Sequence, residues 1–357
     1  SSAGKEVMLK AVTMAMPTYV MSCFKLPKKL LKDINSAMAN YWWGETNGKN
    51  KLHWISWGGM AQNRQDGGLG FKDLEAFNKA LIGKQVWRFI TKPNLLVSKV
   101  LKAKYYPKES IFTCKAQSNA SWFWKGIMDV RGIVEGGVRR RSGNGRGTNI
   151  WEHKWIPTSP SGYPTTSRPP NCEFVSVQQL INQSRWNTNI IFRLFNKTDA
   201  EKILSIPISF AGRPDSNFWT YSEGGEYTVR SGYKRFLVEK TRSNKGQELA
   251  GSSYEAGSNQ NRQIWKTLWK LNIKHKVKLF IWKCVSGALP IREAIHRRAA
   301  TGDPICKGCG EELETIEHTL LQCPLAKNVW KVAPVKWDGA DDQRYNFTKV
   351  VGENLRS

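Results

Sequence analysis

Apolar residues in the first hundred positions recur at helical spacing. Ile34, Met38, Tyr41 and Trp42 fall on one helical face, and Gly44 offers a C-cap just after Trp43. Phe77, Leu81, Val86, Trp87 and Ile90 mark a second helix that Pro93 closes, and a shorter amphipathic run covers Leu95 to Tyr106. Between them, Gln65-Asp66-Gly67-Gly68-Leu69-Gly70 reads as a turn. Residues 1–110 are therefore expected to be mainly helical.

The pattern changes after that. Residues 111–172 are rich in Gly, Pro and Ser, with a brief helix predicted from Ser121-Trp122-Phe123-Trp124 through Val130. The basic stretch Val138 to Gly147, followed by Ile150-Trp151, predicts a hairpin. Pro157, Pro160, Pro164, Pro169 and Pro170 mark a linker over 156–172. Residues 173–226 are mixed, and Trp219-Thr220 with Tyr227 to Arg230 predicts a second hairpin around Gly224-Gly225. A polar, Gly/Ser-rich insert covers 241–262. Within 227–335, Val277, Phe280, Ile281, Cys284 and Val285 form a helical stripe, and Pro290 opens a further basic helix. Residues 336–357 are a tail. No internal repeat is visible. The expected fold is mainly α with small β hairpins, over two or three domains.

Composition adds a charge. The chain has 55 Lys and Arg against 29 Asp and Glu, a net +26, which attracts polyanions. Its 16 Trp argue against disorder. No apolar run is long enough to span a membrane. Ser1 is followed by no apolar signal core, so no secretory signal is expected, and the missing start Met suggests a fragment.

Chemistry concentrates in one place. Cys306 and Cys309 are separated by two residues, and His318 and Cys323 follow within 14 residues of Cys309. Two thiols on a tight Lys307-Gly308 bend, with a helical turn at Glu317 to Leu321 presenting the other two donors, suit one structural zinc ion with no open position. Cys23, Cys114, Cys172 and Cys284 are scattered singly and read as small buried residues. Basic residues interleave with aromatics. Lys274, Lys276, Lys278, Lys283, Arg292, Arg297 and Arg298, with Arg139, Arg140 and Arg141, are the candidate contacts to RNA or DNA, single-stranded or template-primer. Any single Trp among them reads as core. The Gly67 to Gly70 loop lacks the Lys-Ser/Thr of a phosphate loop. Asp341-Asp342 has no third carboxylate nearby, so no catalytic residue is assigned.

These stretches together resemble the C-terminal portion of plant non-LTR (LINE-type) retrotransposon reverse transcriptases. Ala15 to Pro27 is similar to the segment just beyond the polymerase palm. Trp42-Trp43-Gly44, His53-Trp54, Gly67 to Phe71, Phe77 to Leu81, Ser121 to Trp124 and Trp151 to Pro157 follow in the family's order. Residues from Tyr227 to Trp330, with Lys276 to Trp282, Leu289-Pro290 and the four Cys and His residues, look like the family's zinc-binding domain. The resemblance implies a helical thumb or connector region followed by that domain. It also implies a family activity of RNA-directed DNA synthesis, a nuclear location, and a palm upstream. Without the palm aspartates this chain alone is expected to be inactive. The alternative is a host-adopted zinc module that binds protein.

Overall fold

A computed structural model describes residues 1–46, 48–208, 212–245 and 259–334. Most of the insert expected at 241–262 lies outside the described residues, as do the tail at 336–357 and Asp341-Asp342. In chain order the elements are α1 (Ser2–Met8), α2 (Thr18–Cys23), α3 (Lys28–Trp43), β1 (Glu45–Thr46), β2 (Lys49–Asn50), α4 (Trp57–Ala61), α5 (Leu74–Thr91), α6 (Leu96–Tyr105) and α7 (Trp122–Gly137). There follow β3 (Val138–Arg141), β4 (Ile181–Asn182), β5 (Arg185–Trp186), α8 (Thr188–Leu194), α9 (Lys197–Leu204), β6 (Ser216–Trp219), α10 (Val229–Lys245), α11 (Asn259–Lys270), α12 (His275–Val285), α13 (Arg292–Ala299) and α14 (Pro324–Val332). The fold is mainly α, with two-stranded antiparallel pairs. Two compact units form: unit 1 from 1–17, 27–74 and 250–357, and unit 2 from 18–26 and 75–249.

Unit 1 joins distant stretches through a buried acid. Glu6 on α1 is 3% exposed and contacts Lys10 at 2.7 Å, Arg64 at 2.6 Å and His275 at 2.7 Å. Burial raises the Glu6 pKa, but the bonds from Lys10, His275 and Arg64 outweigh it and hold the carboxyl below its usual range. On α3 the buried face is Leu31, Met38, Ala39 and Trp42, while Tyr41 is exposed. Phe71 packs edge-on to Trp42 and stacks on Trp57. The loop between α4 and α5 turns back so that Gly68 N–H reaches the Asn63 carbonyl and Gly70 N–H the Gln62 carbonyl. A Cβ at Gly68 would run into the Gln62 carbonyl. Gly68→Ala should therefore destabilise unit 1 by about 2 kcal/mol. A thermal melt that stays within a degree of wild type would refute this.

On α12 only Cys284 of the expected stripe is buried. Leu279, Trp282 and Cys284 are buried, whereas Val277 and Phe280 are 39% and 43% exposed. The largest ring sets the face, because the Trp282 indole N–H also donates to the Gly67 carbonyl at 2.8 Å.

Unit 2 is built on aromatic packing. Trp124 is fully buried, with Tyr105 and Tyr106 stacked on it at 4.5 and 5.5 Å. Trp87, Trp219 and Tyr227 form a second set of rings. The Tyr227 hydroxyl donates to the Ala80 carbonyl, and burial pushes its pKa upward. Asn78 accepts from Leu26 N–H and donates to the Met21 and Phe24 carbonyls, tying α2 to α5.

Both hairpins expected here are corrected. Val138–Arg141 does not fold back on Ile150-Trp151 but pairs antiparallel with β6, Val138 opposite Trp219 and Arg141 opposite Ser216. Val229, expected in a strand, instead begins α10. Helix α7 runs two turns beyond Val130, to Gly137. Residues 156–172 carry no helix or strand, yet they are anchored: Ile156 is fully buried in a separate core with Ile150, Trp155, Val177 and Ile191. Asp199 accepts the Thr166 N–H and the Thr165 and Thr166 hydroxyls.

Candidate metal centre

The Cys/His loop lies in unit 1, between α13 and α14. A bridge from Ile305 to Leu313 closes its base, with Cys306 N–H on the Glu312 carbonyl and Gly310 N–H on the Cys306 carbonyl. The return requires a left-handed residue, which Gly310 supplies at φ 77°. The side chains of Cys306, Cys309, His318 and Cys323 converge, and one ligand atom from each lies within 4.8 Å of the others. One ion with metal–sulfur bonds of about 2.3 Å can reach four donors so spaced. Cys306, His318 and Cys323 are buried.

The loop's backbone prepares these donors. Glu311 and Glu312 N–H groups bring the Cys309 thiol pKa down to about 7. Burial raises that of Cys323, although the N–H groups of Leu325 and Ala326 at the start of α14 oppose the rise. His318 sits on a single π-helical turn, His318–Gln322. Its Nε2 is 3.4 Å from the Cys309 sulfur, and its Nδ1 is 3.1 Å from Glu312 Oε2. That carboxylate fixes the ring with Nε2 toward the cluster. Cys3His with no vacancy suits a structural tetrahedral ion rather than a catalytic one.

The loop is fastened to the rest of unit 1. Glu314 accepts the Arg292 N–H at the start of α13, Arg292 donates to the Ile305 carbonyl, and Ile316 packs on Trp54, Ala288, Ile291 and Ala294.

Residues 227–330 match the family model described as zinc-binding in reverse transcriptase. A putative ribonuclease H protein of Arabidopsis thaliana is 28% identical over 345 residues, 94% of this chain and 53% of that protein. An uncharacterized mitochondrial protein of the same plant is 40% identical over 144 residues, 40% of this chain and 94% of that protein. The chain belongs to the plant retroelement-derived proteins with a reverse-transcriptase zinc-binding domain. It spans about half the length of the putative ribonuclease H relative.

In this family member the ten basic candidates divide between the units: Lys274 to Arg298 in unit 1, Arg139 to Arg141 in unit 2. Several are held internally. Lys278 donates to the Trp269 carbonyl, Lys283 to Ser2, and Arg292 to the metal loop. Arg298 lies over the Trp54 ring and bonds the His53 and Trp54 carbonyls. Arg139 is bonded to the Gly136, Val138 and Pro160 carbonyls, and Arg140 to Asn217 and Gly147. Exposed heads remain on Lys274, Lys276, Arg297 and Arg141. The tryptophans are structural: Trp265 and Trp282 are buried, and Trp269 and Trp330 donate to the Arg64 and Leu320 carbonyls. Cys114 and Cys284 are buried, and burial raises both thiol pKa values, Cys284 to about 12. Glu312 escapes a sequence reading, because its place in a polar loop gives no sign that it orients His318.

Proposed function

We propose that this chain is a nucleic-acid-holding C-terminal part of a LINE-type reverse transcriptase, stiffened by one structural zinc ion on Cys306, Cys309, His318 and Cys323. The observation that carries the metal assignment is the convergence of three sulfurs and one imidazole within 4.8 Å. When bound, the ion supplies a cross-link rather than chemistry. The exposed heads of Lys274 and Lys276, with the exposed Phe280 ring one turn from Lys276, support strand binding on α12: cations for phosphates and a face for a base. The net charge of +26 supports it as well.

The test is anisotropy of a labelled single-stranded oligonucleotide, RNA and DNA in parallel. Binding should weaken about 20- to 50-fold between 50 and 200 mM salt if three or four phosphates are neutralised. Lys276→Glu should weaken it further, and no anisotropy change at low salt defeats the proposal. Glu312→Ala should lower metal affinity about tenfold in a chelator competition titration, since outer partners of a ligating His matter on that scale. Equal affinity would remove its orienting role.

One observation favours a second reading, a protein-docking module. Leu325, Val329 and Val332 line one exposed face of α14. Under it the oligonucleotide stays free while Val329→Lys abolishes association with the partner.

A further inference from the structure

Beside β3 and β6, unit 2 holds a recess of about 550 Å³, within the usual size of a small-ligand site. Its wall carries Arg140, Arg141 and Arg213 and no carboxylate. Arg141 lies over the Phe218 ring at 5.4 Å, so a guanidinium plane and an aromatic face are stacked at the edge of the recess. The Arg140 head is engaged by Asn217 and the Gly147 carbonyl, which leaves Arg141 and Arg213 as the guanidiniums available to the recess. The nearest acid pairs with neither Arg141 nor Arg213. Asp215 already accepts from Gly143, Gly145 and Gly147 N–H and from the Thr148 hydroxyl.

The geometry points to a binding site for one nucleotide unit, its phosphate on Arg141 and Arg213 and its base on the Arg141–Phe218 stack. Two guanidiniums, Arg141 and Arg213, with no ion pair among the described residues select an anion, and the ring selects one with a flat aromatic part. This rests on the reading that the chain holds nucleic acid, and it adds a second contact surface in unit 2, distinct from α12. The same chemistry comes either from a strand or from a free nucleotide.

The test uses the full zinc-loaded chain at low salt. An oligouridine carrying one 5-iodouridine is photo-cross-linked and the adduct mapped, with UMP as competitor and, separately, as titrant. The adduct should map to Phe218 or its neighbours in the recess, and UMP should suppress it. Arg213→Ser should weaken UMP binding about tenfold, while Arg193→Ser, an exposed arginine on α8, leaves it within about twofold. Adducts confined to other segments, or equal effects of the Arg213 and Arg193 changes, overturn the site while strand binding stands. UMP binding that obeys these variants without any oligonucleotide binding keeps the site and discards the strand. Neither ligand binding discards both.

Discussion

Chelating the metal, or replacing Cys323 with Ser, should release the loop from Ile305 to Cys323 and leave the cores of unit 2 intact. None of the four donors lies in unit 2. Between its fastened ends the loop has little else to hold it, and its residues between Lys307 and Leu313 are largely exposed. Metal binding in isolated zinc modules is worth about 10 kcal/mol or more near neutral pH, so losing it removes most of what orders such a loop. Hydrogen exchange should show the amides of Cys306, Gly310 and Glu314 losing protection, with those of α5 and α7 unchanged. The two treatments should not add, since each removes the same cross-link. Protection that survives chelation would mean that the loop folds on hydrogen bonds alone.

Asp215→Ala should cost unit 2 about 3 kcal/mol, because four donors lose their acceptor in one step. Three are backbone N–H groups of the Gly143 to Gly147 turn, at 2.6, 2.9 and 2.8 Å. Asp215→Asn keeps one acceptor oxygen and should cost less. Acid titration gives an independent check. Burial raises the Asp215 pKa, but the bonds from Gly143, Thr148, Gly145 and Gly147 overcome this and set it below the ordinary value. A carboxyl depressed in the folded state contributes stability that is complete above its unfolded pKa, about 3.9, and lost as pH falls through the folded one. Glu6 and Asp199 shift the same way. Wild type should therefore lose stability below about pH 4, and Asp215→Asn should flatten that limb. An acid limb of the same slope in both proteins would exclude Asp215 as its source.

Local signals proved readable. Trp43-Gly44 and Pro93 end helices or follow their ends because caps and prolines act within one turn. The Cys/His loop was equally visible, since all four donors lie within 18 residues. What failed was set by partners far along the chain. The basic strand Val138–Arg141 finds its match in Ser216–Trp219, and no local pattern in either names the other. The Gly-rich turn after it took its shape from Asp215, some 70 residues away. On α12, both candidate faces are apolar, and the choice fell to Trp282 through its bond to Gly67. The basic residues are hard to read for a related reason: a side chain that looks free in sequence can reach a carbonyl anywhere in the fold, as Arg298 does at His53.

The divided make-up of unit 1 also sets an order of events on the ribosome. Glu6 and His275 are 269 positions apart. At about 5–20 residues per second, tens of seconds separate their emergence. Through that interval α1 lacks the helix α12 that it packs on, while unit 2 can close around Trp124 and Trp219 as soon as α10 is made. The half that starts first finishes last. A pause in translation after unit 2 therefore leaves a nascent chain with one core closed and the other still waiting for its last helices.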